Sequence, residues 1–138
     1  MSKILAIDYG TKRVGFAISD VTRTFAFGLS TQENKNALTY VQQIVLKEQI
    51  DILVIGIPKT LQNEMAEIVP KIKAFIQKIR VMFPELQIVE VDERFSSKMA
   101  FQSMIDSGLK KKDRQNKALV DEISATLILQ NYLETLTK

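Results

Sequence analysis

Apolar positions along the chain change period several times, and each change marks an element. Ile4 to Ile7 is an uninterrupted apolar run that stops at Asp8-Tyr9-Gly10-Thr11, the pattern of a buried strand followed by a turn. Val14–Ser19, with Gly15 inside it, and Phe25–Leu29 read as two more strands. The short turns between these three predict an antiparallel meander. Asn36–Lys47 then places Leu38, Val41, Ile44 and Val45 at helical spacing. Ile52–Ile55 is a further apolar run, closed by Gly56-Ile57-Pro58. Asn63–Phe83 is helical in pattern, with Ile68, Ile72, Phe75, Ile76 and Ile79 on one side; Pro70 should kink that helix or mark a restart. Leu86–Val91 predicts a fifth strand, ended by Asp92-Glu93-Arg94. Ser96-Ser97 can cap a helix to about Ser107, where Gly108 stops it. After a basic connector, Lys117–Leu136 forms a last helix. The order is β-β-β-α-β-α-β-α-α, and the later strands should run parallel to the first through right-handed crossovers.

Composition narrows the chemistry more than the fold. The 138 residues fit one domain, 1–138, with 46% apolar and 25% charged residues. The chain has neither cysteine nor histidine. Disulfides, thiolate metal sites and cysteine nucleophiles are therefore excluded, and so are the usual general base and the usual zinc ligand. Hydrolysis would have to use carboxylates, lysine, hydroxyls or a hard metal ion bound by oxygen. The first apolar run is too short for a signal peptide and no stretch is long enough to span a membrane, so a cytoplasmic protein with no membrane partner is expected. The net charge of +3 permits a nucleic-acid partner without requiring one.

Three acid sites are candidates. Asp8 ends the first strand, and Asp92 and Glu93 end the fifth. If these strands are parallel members of one sheet, both ends lie on the rim where open α/β sheets bind ligands. Strand ends also carry Asp simply as a turn former. In the last helix, Asp121 heads a stripe continued by Ala125, Ile128 and Tyr132, whereas Glu122 lies on a neighbouring polar stripe and reads as solvated. A carboxylate facing the protein body must be paired or metal-bound. The alternatives for Asp121 are a salt bridge to an arginine or a favourable place near a helix start. Converging carboxylates without histidine suit Mg²⁺ or Mn²⁺, and such sites perform phosphodiester chemistry.

The loop after Asp8 sharpens this. Gly10 can take a positive φ and let a phosphate approach the backbone, Gly15 suggests a bulge or close approach, and Lys12 and Arg13 could meet phosphates. The longer pattern Asp8-x-Gly10-x-Lys12-Arg13-x-Gly15-x-Ala17-x-Ser19-Asp20 resembles the signature of the YqgF family, described either as Holliday-junction resolvases or as nucleases of precursor 16S rRNA. Gly56-Ile57-Pro58, Asp92-Glu93-Arg94 with Ser96-Ser97, and Lys117-x-x-Val120-Asp121-x-x-Ser124-Ala125-x-x-Ile128-Leu129 match that family's further motifs in order. The chain departs from the family at Gln62-Asn63-Glu64, where an Asp-Gly-Ser/Thr turn is usual; Asn63 can replace glycine in a left-handed turn. Ser124 stands where a small alanine is usual.

The resemblance implies an α/β, ribonuclease-H-like fold with a five-stranded mixed sheet in the order 3-2-1-4-5. It implies metal ligands and catalytic residues at Asp8, Glu93 and Asp121, with Asp92 the alternative to Glu93. Alternation groups Glu93 with Val89 and Val91, and Asp92 with Ile88 and Glu90, without deciding which set faces the metal. Lys12, Arg13, Arg94 and the run Lys110, Lys111, Lys112 and Arg114 are the substrate-binding candidates, since such residues contact phosphates largely without reading sequence. Tyr9 and Phe95 could stack on a base. The leading expectation is a Mg²⁺- or Mn²⁺-dependent endonuclease on structured RNA, processing the 5′ end of pre-16S rRNA. The second is a resolvase of branched DNA, which would favour a homodimer because two symmetric cuts need two sites. A non-catalytic nucleic-acid-binding module and an actin-like phosphotransferase rank below; the latter needs two such domains.

Overall fold

The computed structural model describes residues 2–57, 63–92 and 117–136. Its strands are β1 (Lys3–Tyr9), β2 (Arg13–Ser19), β3 (Ala26–Glu33), β4 (Ile50–Ile57) and β5 (Gln87–Asp92). Its helices are α1 (Asn34–Glu48), α2 (Asn63–Met82) and α3 (Lys117–Leu136). The sheet order is β3-β2-β1-β4-β5, with β1–β2 and β2–β3 antiparallel and β1–β4 and β4–β5 parallel. The meander and the later parallel strands thus follow the sequence pattern. The helix expected at residues 96–107 lies outside the described residues.

Alternation along the strands splits the core into two layers. Leu5, Ile7, Val14, Phe16, Leu53 and Ile55 pack beneath α1 and α2, which contribute Ala37, Val41, Ile44 and Val45, and Ile72, Phe75, Ile76 and Ile79. Ile4, Ala6, Ala17, Ile52 and Val54 point to the opposite face and pack against Ala125, Ile128, Leu129 and Leu133 of α3. Each large aliphatic side chain buried this way contributes roughly 1.5–3 kcal/mol. The α3 layer is therefore held mainly by four apolar residues on one stripe. Among the described residues, no helix is long and apolar enough to cross a membrane.

Three local expectations are corrected. β3 runs to Glu33 rather than ending at Leu29, because the polar segment Ser30–Glu33 pairs with Arg13–Phe16 along the sheet edge. α2 continues through Pro70 as one helix, which removes the restart and leaves the kink as the remaining alternative. Pro70 lies on its exposed side, where the ring meets solvent and one backbone hydrogen bond is forfeited. Asn63 is the first residue of α2, not a left-handed turn residue; the non-glycine positive-φ residues described are Arg23 and Gln49.

The β2–β3 turn is organised by Asp20. Its Oδ1 accepts the amides of Thr24 (2.9 Å) and Phe25 (2.8 Å), and its Oδ2 accepts the Thr22 hydroxyl. These donors, the Thr22 hydroxyl foremost, hold the carboxyl below its ordinary value of 3.8, at about 2. A depressed folded-state value means that the turn's stabilisation is complete above 3.8 and fades as pH falls through about 2. The amide proton shifts of Thr24 and Phe25, followed by NMR, should accordingly titrate with a midpoint well below 3.8; a midpoint at the ordinary aspartate value would contradict the turn as described.

Candidate active site

The site starts at the carboxyl end of β1. Asp8 follows Ile4 and Ala6 by strand alternation, so it lies on the α3 face, and it is half-buried. Its register partner on β2 is Gly15. A Cβ built on Gly15 would stand 2.1 Å from the carbonyl oxygen of Asp121 and 3.1 Å from the amide nitrogen of Glu122. The first half of α3 therefore rests directly on the backbone of Gly15. Because Asp8 and Gly15 are register partners, this contact sets the Asp121 backbone directly over the strand pair that carries Asp8. Residues 113 positions apart in sequence converge because one glycine leaves room for a helix.

Arg13, at the start of β2, donates its Nε–H to Oδ2 of Asp121 at 2.9 Å. The two side chains are 33% and 25% exposed, so the pair contributes at most about 1 kcal/mol to stability. Its consequence is orientation: the guanidinium fixes the Asp121 carboxylate beside the β1 terminus. The salt-bridge alternative for Asp121 is thus realised, and Arg13 is engaged with the acid site rather than extended into solvent.

The loop between β1 and β2 is tied to α1. Asn34 donates its side-chain Nδ2–H to the Gly10 carbonyl at 2.7 Å, and its backbone amide donates to the Lys12 carbonyl at 2.9 Å. Gly10 is required for close packing and not for a positive φ: a Cβ there would meet the Arg13 carbonyl oxygen at 2.4 Å. Lys12 is exposed at the loop tip. Asn34 was missed by the sequence reading, although a polar Asn just ahead of a helical apolar stripe is a recognisable helix-start signal. Glu122 is not the solvated residue expected; it is half-buried and leans over Gly28 of β3. Tyr9 points to the other face of the sheet and packs on Phe75 of α2, with ring centroids 5.0 Å apart.

On β5, Val89 and Val91 pack with the α3 layer, whereas Glu90 reaches Lys73 of α2. The side chain of Asp92 and all of Glu93, Arg94, Phe95, Lys110, Lys111, Lys112 and Arg114 lie outside the described residues. Among the described residues, no group of three potential ligands forms. Asp8 and Asp121 each carry oxygen donors in a chain without histidine or cysteine, the ligand type that a hard divalent cation prefers. Asp121 is at the same time the acceptor of the Arg13 ion pair, so a cation at this position would share the carboxylate with the guanidinium.

A family model described as "RuvX: Holliday junction resolvase" matches residues 2–135. The chain belongs to the RuvX family. Similar proteins include one of Bacteroides thetaiotaomicron, 50% identical over 135 residues with 98% of each chain covered. Another is from Flavobacterium psychrophilum, 51% identical over 133 residues, covering 96% of this chain and 97% of the relative. Both carry the name "Putative pre-16S rRNA nuclease". Among solved structures, Thermus thermophilus RuvC, in complex with a Holliday junction substrate, aligns with a TM-score of 0.63 at 13% identity, covering 99% of this chain and 96% of that one. Fowlpox virus resolvase, also in complex with Holliday junction DNA, aligns at 0.61 and 17% identity, with 99% of each chain covered. These two likenesses concern the fold. The ribonuclease-H-like architecture implied by the four sequence motifs is the one this RuvX chain adopts.

Proposed function

We propose that the protein is a metal-dependent endonuclease that cleaves structured RNA at the 5′ end of pre-16S rRNA. The observation that carries the chemical part is the seating of Asp121 on Gly15, the partner of Asp8. The names of the full-length relatives at about half identity support the substrate. Asp8, Asp121 and Glu93 would hold Mg²⁺ or Mn²⁺. Glu93 is preferred to Asp92 because the alternation of the sequence groups it with Val89 and Val91, the two β5 residues that pack with the α3 layer. A divalent cation bound there would lower the pKa of an attacking water and stabilise charge on the leaving oxygen.

The chain's own residues supply positioning. Asp8 is fixed by a buried strand, and Asp121 by its helix and by Arg13. Arg13 also offsets the charge of Asp121, which would otherwise repel a phosphodiester. Lys12 at the loop tip would meet the substrate backbone; Arg94 and the basic run 110–114 are assigned the same task. A second reading, cleavage of branched DNA, is supported by the description of the family model.

The deciding experiment offers a precursor fragment spanning the 5′ end of 16S rRNA and a four-way DNA junction side by side with Mn²⁺. Cleavage of the RNA at a discrete position is expected. Cleavage of the junction with the RNA left intact would overturn the RNA assignment in favour of a resolvase. Failure to cleave either would overturn the enzyme reading.

A further inference from the structure

The sheet rim that carries Asp8 on one face carries a second feature on the other. A groove of about 390 Å³ opens between α1 and α2, lined by Tyr9, Asn34, Lys35, Lys71, Phe75 and Lys78 among others. Its apolar floor is the Tyr9–Phe75 ring pair. Its walls carry three lysines. Lys35 pairs with Glu33 at 3.2 Å across an exposed surface, whereas Lys71 and Lys78 form no ion pair among the described residues. Glu67 is one turn before Lys71 on the same side of α2, so the groove keeps a net positive charge.

The arrangement of these lysines selects the ligand. Lys71 and Lys78 are seven residues apart and stand about 10 Å from each other along α2. Their positions lie about two turns apart on one side of the helix, a separation that spans about three phosphates of one strand. A single phosphate ion would need several donors aimed at one place. A row of exposed, unpaired ammonium groups instead matches a polyanion, whose charges recur every 3.4 Å or so along one strand of a duplex.

We infer that the α1–α2 groove binds the sugar–phosphate backbone of the nucleic-acid substrate beyond the scissile position. The substrate passes over the sheet rim, from the Asp8–Asp121 side across the β1–β2 loop to Lys71 and Lys78. Tyr9 and Asp8, adjacent on β1 and pointing to opposite faces, place the groove and the acid site on two sides of one strand end. Asn34 links them physically, since it lines the groove while its side-chain Nδ2–H donates to the Gly10 carbonyl. This inference rests on the nuclease reading above and extends it to a surface that the acid site does not include.

The test uses the full chain and a 40-nucleotide hairpin RNA with a single-stranded extension. Binding is measured by fluorescence anisotropy over a range of salt concentrations, and Mn²⁺-dependent cleavage is measured in parallel. Lys71→Ala/Lys78→Ala should weaken binding about tenfold at moderate salt. It should also make the slope of log affinity against log salt shallower by about 1.4 to 1.8 for two lost phosphate contacts. KM should rise with kcat unchanged, and Lys71→Arg/Lys78→Arg should bind like the parent. Lys47→Ala/Arg80→Ala removes the same charge from exposed positions outside the groove and should have little effect. Equal weakening by both alanine pairs would overturn the groove and leave the nuclease reading intact. Failure of the parent protein to bind the RNA at all would overturn both.

Discussion

Asp8→Asn is expected to reduce Mn²⁺-dependent cleavage about a thousandfold while leaving the fold intact. The substitution is isosteric and removes one negative charge from a half-buried strand end. A ligand that stabilises transition-state charge through a bound cation is worth several kcal/mol, and about 4 kcal/mol corresponds to three decades in rate. The buried core of β1 is Ile4–Ile7 and does not include residue 8, and asparagine keeps the shape and an acceptor oxygen of the side chain, so the packing is preserved. The melting temperature should therefore stay within a few degrees of the parent. RNA binding should be equal or tighter, since one charge repelling the phosphates is gone. The effect is thus confined to kcat, with KM unchanged or lower, which separates loss of a catalytic group from loss of a binding group. Asp121→Asn should show the same kinetic pattern with one difference. It also weakens the ion pair to Arg13, so its melting temperature should fall slightly, by the equivalent of at most about 1 kcal/mol for so exposed a pair. Unchanged cleavage by Asp8→Asn would refute the metal mechanism.

Much of the framework that makes these predictions possible is legible in the chain. Buried strands such as Ile4–Ile7 and Ile52–Ile55 are bounded by turn residues, and the helices show a 3.6-residue period, because burial on one face imposes that pattern. The end of β3 is not legible, since an edge strand half-open to solvent tolerates Ser30–Glu33 and leaves no apolar trace. The candidate site divides the same way. An acid heading an apolar helix stripe singles out Asp121 from sequence alone. Its partner Arg13 lies 108 positions away, and only the tertiary fold chooses it from the other arginines. Strand parity separates Asp8 from Tyr9, yet which face receives α3 and which receives α1 and α2 is decided by packing. For that reason Tyr9 becomes part of the core beneath α2 and the Lys71–Lys78 row goes unseen. Glu122 shows the converse: a residue on a polar stripe is half-buried because α3 lies so close to the sheet.

That closeness is the basis of the second large effect. Gly15→Ala should destabilise the protein by about 3 kcal/mol and reduce cleavage beyond what the unfolded fraction explains. The added methyl would meet backbone atoms of Asp121, at 2.1 Å and 2.5 Å, and the Glu122 amide nitrogen at 3.1 Å. No rotamer change relieves a clash with helix backbone, so α3 itself must move away from β2. Overpacking of this kind typically costs 1–3 kcal/mol, and here the shift also loosens Ala125, Ile128 and Leu129, which seal the second core layer. A loss of that size lowers the melting temperature by roughly 10 °C in a domain of this length. The same movement draws Asp121 away from Asp8, so cleavage measured well below the melting transition should still be reduced. Gly28→Ala is the informative contrast, because the atoms nearest its added methyl belong to the Glu122 side chain, with Oε1 at 2.4 Å, and that side chain can swing aside. It should cost about 1 kcal/mol or less, in line with an ordinary surface change, and leave cleavage near the parent level. Equal tolerance of the two substitutions would mean that α3 is not clamped to Gly15, and the convergence of Asp8 with Asp121 would lose its structural cause.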